Sequence, residues 1–350
     1  MKLYTCGKCN NLVYFENNIC LSCGHTLGFD PESLNLITLT IEGNDIYTEL
    51  SQNLRFRFCE NARYGTCNWL IPIQYTNTFC LGCLLNRTIP VLHAQNHERW
   101  KRIEVAKHRL VYSLLRLNLP ISPKTDSNSG GIAFDYLADV SRENRVMTGH
   151  ENGAITLNIE EADEAERVRN KLDLGEKYRT LLGHFRHEIG HYYWDVLIQS
   201  SNQLESFRQL FGNESLDYAE ALQTYYVNGA PLNWSDHFIS PYATSHPWED
   251  WAESWSHYMH LMDTLETAYY FGLRVNPGKQ TGVLNLRTEI NRDPYTMDDF
   301  NEVVENWLPL TFAVNSLNRS MGHADFYPFV IAPDVIHKLQ FIHDLCKSKK

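Results

Sequence analysis

Apolar residues return at helical spacing across residues 96–117, with Trp100, Ile103, Leu110, Leu114 and Leu117 on one face. Residues 132–137 predict a short strand, and residues 154–159 alternate apolar and polar positions and predict a second, with a turn at residues 149–153 ahead of it. Residues 160–172 are highly charged and predict a helix. A further helix is predicted within residues 176–199, because Leu181, Leu182, Phe185, Ile189, Tyr192, Tyr193 and Val196 share its period and only Gly183 and Gly190 weaken it. Residues 216–227 predict another, stopped by Gly229 and Pro231. Pro247 suits a first helical turn, and the pattern then runs through Met259, Met262 and Leu265 toward Phe271.

Both ends of the chain read differently. Residues 1–85 are polar, rich in turns and studded with cysteines, and residues 84–90 read as a short linker. From about Pro277 onward the pattern carries less information. Residues 308–312 and 329–331 are apolar and expected to pack on the core, and the polar run 315–322 fits helix capping or a cleft lining. The layout predicts an α+β protein. An N-terminal module over residues 1–85 precedes a mainly helical domain over residues 86–350, which carries a small β-sheet.

The cysteines define the N-terminal module. Cys6, Cys9, Cys20 and Cys23 form two C-x-x-C pairs with ten residues between them, the spacing of a zinc ribbon closed by four thiolates. Cys59, Cys67, Cys80 and Cys83 form a second set, looser in its first pair, where seven residues intervene. Two structural zinc ions are expected there, and they contribute directly to folding so small a module. Disulfides are the competing reading. They fit poorly, because the opening Met-Lys-Leu-Tyr-Thr-Cys has no apolar core of a secretory signal, which predicts a reducing cytoplasm. Cys346 is left over and reads as a lone thiol.

Charge narrows the partners. The 350 residues carry a net charge of −11, which disfavours polyanions and anionic membranes, and no apolar run reaches membrane-spanning length. Residues 1–85 hold five basic residues against seven acidic ones, so the ribbons carry no general footprint for nucleic acid. Arg55, Arg57 and Arg63 are the one local exception. Docking of a protein or peptide substrate suits the module better.

The chemistry concentrates at His187-Glu188-Ile-Gly-His191. Two histidines four apart on a helix project to one side and can hold one Zn²⁺ through ring nitrogens. Glu188 is placed as the general base that takes a proton from the attacking water. The motif points to a zinc-dependent hydrolase, foremost a peptidase. A third ligand is needed, with one position left open. Glu249 and Glu253 share a face of the downstream helix, and one can bind metal while the other orients a ligand histidine. This Glu-x-x-Ala-Glu run resembles the glutamate helix of the gluzincin metallopeptidases. That likeness implies Glu249 as ligand and Glu253 as its support. Tyr242, seven residues before Glu249, matches a tyrosine that stabilises the oxyanion in some gluzincin-like proteins, while a core role fits it equally.

The wider pattern includes Cys6-Gly-Lys-Cys9, Cys67-Asn-Trp69, Ala106-Lys-His-Arg-Leu110, Thr148-Gly-His150, the residues 178–191 around the histidines, Ser240-Pro-Tyr-Ala243 and His246-Pro-Trp-Glu-Asp-Trp-Ala-Glu253. With these segments the chain resembles, over essentially its whole length, a family of zinc-binding metallopeptidases with an N-terminal zinc ribbon. The resemblance implies a zincin-like catalytic domain, one catalytic zinc besides the structural ones, and a strand at residues 154–159 edging the cleft to pair with extended substrate. Two other readings stand beside it. One is a non-catalytic zinc-binding interaction module, for which His184 or His246 would close the site as a fourth ligand. The other is a nucleic-acid-associated protease targeted by its ribbons.

Overall fold

The computed structural model describes residues 1–139, 146–173, 180–278 and 286–348. The chain is α+β, with two four-cysteine clusters in a β-rich N-terminal module followed by mainly helical structure. Contacts group it into two compact units. One holds Met1–Arg116 with Pro120–Asp173, the other Leu117–Leu119 with Leu174–Lys350.

In the first unit a meander of five antiparallel strands runs in chain order: β1 (Thr26–Asp30), β2 (Asn35–Gly43), β3 (Ile46–Glu49), β4 (Arg55–Phe58) and β5 (Leu70–Pro72). Asn44 and Asp45 join β2 to β3 with φ of 52° and 58°, the double left-handed geometry of a tight hairpin turn. Ile37, Leu39, Phe56 and Leu70 form the core on one face. Leu70 lies so close to Gly28 that a Cβ there would stand 2.6 Å from its side chain, so only glycine fits. Phe15 packs edge-on against Phe29 and Trp69, and it meets Tyr112 of helix α1 (Ala94–Arg116) at 5.5 Å between ring centres. Helix α1 is therefore part of the core of the cysteine-bearing unit.

A second sheet in this unit comprises β6 (Asn86–Thr88), β7 (Ala133–Leu137), β8 (Gly149–Glu151) and β9 (Ala154–Asn158) in the order β8-β9-β7-β6. Two expectations are corrected here. Residues 84–90 are not a plain linker, because Asn86–Thr88 pairs in parallel with β7. Arg87 and Thr88 hold it there, donating to the Asp135 carboxylate at 3.0 and 2.7 Å. Strand β9 does not edge a cleft. It is paired with β8 on one side and β7 on the other, so its backbone groups are already used. The expected turn is the Asn152-Gly153 tip of the β8–β9 hairpin. Helix α2 (Glu164–Asp173) closes the unit.

The second unit is built on helices α3 (Leu181–Trp194), α4 (Leu204–Phe211), α5 (Tyr218–Asn228), α6 (Pro247–Tyr270), α7 (Phe300–Ser320) and α8 (Pro333–Lys347). The helix expected from about residue 176 begins at Leu181, where the Thr180 hydroxyl caps it by accepting from the Gly183 N–H at 2.9 Å. Residue 176 itself lies outside the described residues. After Trp194 the helix widens into a π-turn, Asp195–Gln199. Trp251 and Trp255 of α6 are fully buried, and Trp255 stacks on Tyr193 at 5.1 Å. Within α7, Leu310 is buried while Phe312 is half exposed. The polar run 315–322 ends α7, where the Asn315 side chain bonds both backbone groups of Tyr327 at 2.9 and 3.0 Å. No helix among the described residues is long and apolar enough to cross a membrane.

Candidate metal centre

Helices α3 and α6 meet at Gly190. A Cβ there would stand 3.1 Å from the Ala252 Cα and 3.2 Å from the Trp255 Cβ, so the missing side chain sets how closely the helices approach. The Trp251 indole N–H then reaches the Gly190 carbonyl at 2.8 Å and pins the crossing. Glu249 lies in the first turn of helix α6. Pro247 occupies the first turn, and the His246 ring caps it, its Nδ1 accepting from the Trp248 N–H at 3.1 Å. Glu249 and Glu253, one turn apart, thereby come to face α3.

His187, His191 and Glu249 converge. The two Nε2 atoms are 3.2 Å apart, and the Glu249 Oε2 lies 3.0 Å from that of His187 and 3.6 Å from that of His191. Ligands at tetrahedral zinc are separated by about 3.3 Å for nitrogen and oxygen donors, so this spacing suits one ion. The Glu249 Oε2 is buried, and the two imidazole Nε2 atoms face it, so a cation among the three would offset the cost of burying it. Its other oxygen, Oε1, accepts from the Tyr218 hydroxyl of α5 at 2.6 Å. Burial works against the Glu249 charge, but His191 and His187 hold its carboxyl well below the usual range.

Glu253 stands on the opposite edge of the His187 ring. Its Oε1 takes the Nδ1 proton at 2.7 Å, and its Oε2 accepts from the Ser240 hydroxyl at 2.7 Å. The imidazole is therefore fixed with Nε2 toward Glu249. Glu188 is buried, with its Oε1 3.3 Å from the His184 Nε2. Burial pushes this carboxyl up, yet His184 and the charges of His187 and His191 bring it below its ordinary value. Tyr242 sits in a short turn, Tyr242–Thr244, with its ring tilted against His187 at 6.1 Å.

Neither proposed fourth ligand joins the group of His187, His191 and Glu249. His184 faces Glu188, and His246 has both ring nitrogens on backbone, Nε2 donating to the Leu216 carbonyl at 3.2 Å. Tyr218 was not legible from the motif. It lies far upstream on a helix that buries nothing, and its only local signal is the Asp217 cap that starts α5.

The thiolates form two quartets, Cys6 with Cys9, Cys20 and Cys23, and Cys59 with Cys67, Cys80 and Cys83. The sulfurs of Cys6 and Cys23 and those of Cys9 and Cys20 are 3.6 Å apart, and those of Cys67 and Cys80 are 3.7 Å apart. Tetrahedral zinc with sulfur ligands requires about 3.8 Å. All nine cysteines are free of disulfides. Asn10 and Gly24, each following the second cysteine of its pair, take φ of 58° and 74° and turn the knuckles back. Burial opposes ionisation of the Cys6 thiol, but the backbone N–H groups of Lys8 and Cys9 pull it down to about 6. The three ribbon arginines are all engaged within the module. Arg55 pairs with Glu42 at 3.1 Å, Arg63 pairs with Glu60, and Arg57 donates to the Tyr75 carbonyl at 2.7 Å.

A family model described as "Putative zinc-binding metallo-peptidase" matches residues 96–345, and a zinc-ribbon domain model matches residues 3–94. Uncharacterized proteins of Mycobacterium bovis and Mycobacterium tuberculosis are 40% identical over 345 residues, which covers 98% of this chain and 94% of theirs. No solved structure matches the chain.

Proposed function

This chain belongs to the zinc-binding metallo-peptidase family, and from that premise we propose that it hydrolyses peptide bonds at a zinc ion held by His187, His191 and Glu249. The observation that carries this reading is the buried Oε2 of Glu249, which converges with both Nε2 atoms. When bound, zinc would acidify water and polarise the substrate carbonyl.

The side chains divide the remaining work. Glu188, kept ionised beside His184, takes the proton of the attacking water and returns it to the leaving amine. Glu253, anchored by Ser240, holds the His187 ring in its binding tautomer. Tyr218 turns the Glu249 carboxylate so that one oxygen faces the histidines. Tyr242, whose hydroxyl burial keeps protonated, donates to the oxyanion that develops on the substrate. The engagement of His184 and His246 elsewhere supports an open hydrolytic site over a closed structural one. We assign the two thiolate quartets to structural zinc. Docking of a peptide or protein substrate is the role proposed for the ribbons. Arg55 and Arg63 are already paired with acids and Arg57 is held by backbone carbonyls, which favours that role over nucleic acid, and the free thiols suit the reducing cytoplasm.

The test is a peptide-library digest with purified protein beside a Glu188→Gln control. Glu188→Gln keeps the side-chain shape but cannot take the proton. Turnover should fall about 10²–10⁴-fold while zinc stays bound. Equal turnover by both proteins on a substrate the parent cleaves would remove Glu188 from the mechanism.

A further inference from the structure

The second thiolate cluster has a neighbour that the cysteine pattern does not include. His108, on α1, directs its Nε2 to within 3.5 Å of the Cys67 sulfur and 3.8 Å of the Cys83 sulfur. Two ligands of one zinc ion, one nitrogen and one sulfur, are separated by about 3.6 Å. The Nδ1 of the ring donates to the Glu104 carbonyl at 2.7 Å, so in the neutral ring the lone pair resides on Nε2 and points at the sulfurs. The ring is only 4% exposed and packs on Trp69 at 4.9 Å. Gly82, inside the Cys80-Leu-Gly-Cys83 pair, leaves it room. A Cβ on Gly82 would meet the ring at 3.0 Å from Cδ2 and 3.2 Å from Nε2. His108 therefore stands as a further donor beside two of the four thiolates, and it groups with Cys83 and Glu104, whose Oε2 lies 3.8 Å from the Cys83 sulfur.

We propose that His108 is a reserve ligand of the second structural zinc site and takes the place of Cys67 through Nε2 when that thiolate is lost. Cys67 is the one member of its quartet that is half-buried, the other three being buried, which makes it the first candidate for thiol-directed electrophiles. The exchange is a ligand substitution without electron transfer. The Cys67 sulfur gives up its bond to the ion, and the Nε2 lone pair of the neutral imidazole forms the new one. The ion passes from four thiolates to three thiolates and an imidazole, and the site sheds one negative charge. The module would thereby keep its metal, and with it its fold, through chemical damage to its most accessible thiol.

The experiment uses the full chain and reads metal rather than hydrolysis. Zinc per chain is measured in Cys67→Ala, in His108→Ala and in the double variant. Absorption of the cobalt-substituted proteins reports the ligand set. Both single variants should keep the parental zinc count. The cobalt spectrum of Cys67→Ala should lose thiolate charge-transfer intensity and gain the pattern of three sulfurs and one nitrogen. The double variant should lose one zinc per chain. Loss of that zinc from folded Cys67→Ala, or its full retention in the double variant, would overturn the proposal. A second measurement does not depend on Cys67→Ala folding. Parent and His108→Ala are titrated with an alkylating agent while Cys67 modification and zinc release are followed together. In the parent, zinc release should lag Cys67 modification. In His108→Ala the two should coincide. Coincidence in both proteins would mean that His108 is packing beside the cluster and never a ligand.

Discussion

The Oε1 of Glu253 stands 2.7 Å from the Nδ1 of His187, on the far edge of the ring from Glu249, whose Oε2 lies 3.0 Å from Nε2. The two acids share one imidazole between them, one on each nitrogen. Their exchange of places would require the ring to turn over. Glu249→Ala should therefore strip the catalytic zinc, while Glu253→Ala should weaken it only about 10–100-fold. A zinc titration decides the matter, and the reverse ranking would swap the roles.

Metal analysis of the parent should find three zinc ions per chain, one for each of the two thiolate quartets and one for the His187–His191–Glu249 group. Chelator should remove the catalytic ion first, since an open coordination position gives the competitor access. A preparation purified without chelator that holds a single zinc would contradict this layout.

Gly190 sets the α3–α6 spacing, so filling it should separate the site's two halves. Gly190→Ala gains about 1 kcal/mol of helix propensity but must push the Ala252 backbone, an overpacking cost of about 1–3 kcal/mol. The sum is a small net loss. Gly190→Leu gains no more propensity and displaces far more volume, so its melting temperature should drop clearly below that of Gly190→Ala. An unchanged melting temperature for Gly190→Leu would show that the helices have slack.

Tyr218→Phe removes a 2.6 Å hydrogen bond to a buried carboxylate and keeps the ring. A hydrogen bond to a charged group contributes about 1.5–3 kcal/mol, so catalytic zinc should bind about 10–100-fold more weakly. The thiolate sites should be untouched. Unchanged zinc affinity in a competition assay would reduce Tyr218 to packing.

The sequence reveals those parts of the molecule that repeat at short spacing. His187 and His191 lie four apart, as do Glu249 and Glu253, and each pair shares a helical face by geometry alone. The cysteine pairs are local in the same way. Which acid faces the metal was less accessible, because the answer depends on the orientation of the His187 ring and the depth of the crossing at Gly190. Tyr218 could not be read at all, being joined to Glu249 only through the folded chain. Strand β6 escaped for a related reason. Asn86-Arg-Thr88 has no apolar alternation, and its pairing rests on Asp135, far along the sequence. The strand at 154–159 was recognised, but its pairing on both sides is a property of the sheet and not of the segment.

Helix α5 buries none of its residues and touches the site through Tyr218 on Glu249 and Tyr225 against Tyr242. A segment with so little packing opens locally at low free-energy cost. Opening carries the Tyr218 hydroxyl away from Glu249, and whatever immobilises that carboxylate resists the opening in turn. A metal bound there would thus be coupled to the amide hydrogen-exchange rates of a surface helix that supplies none of the proposed ligands.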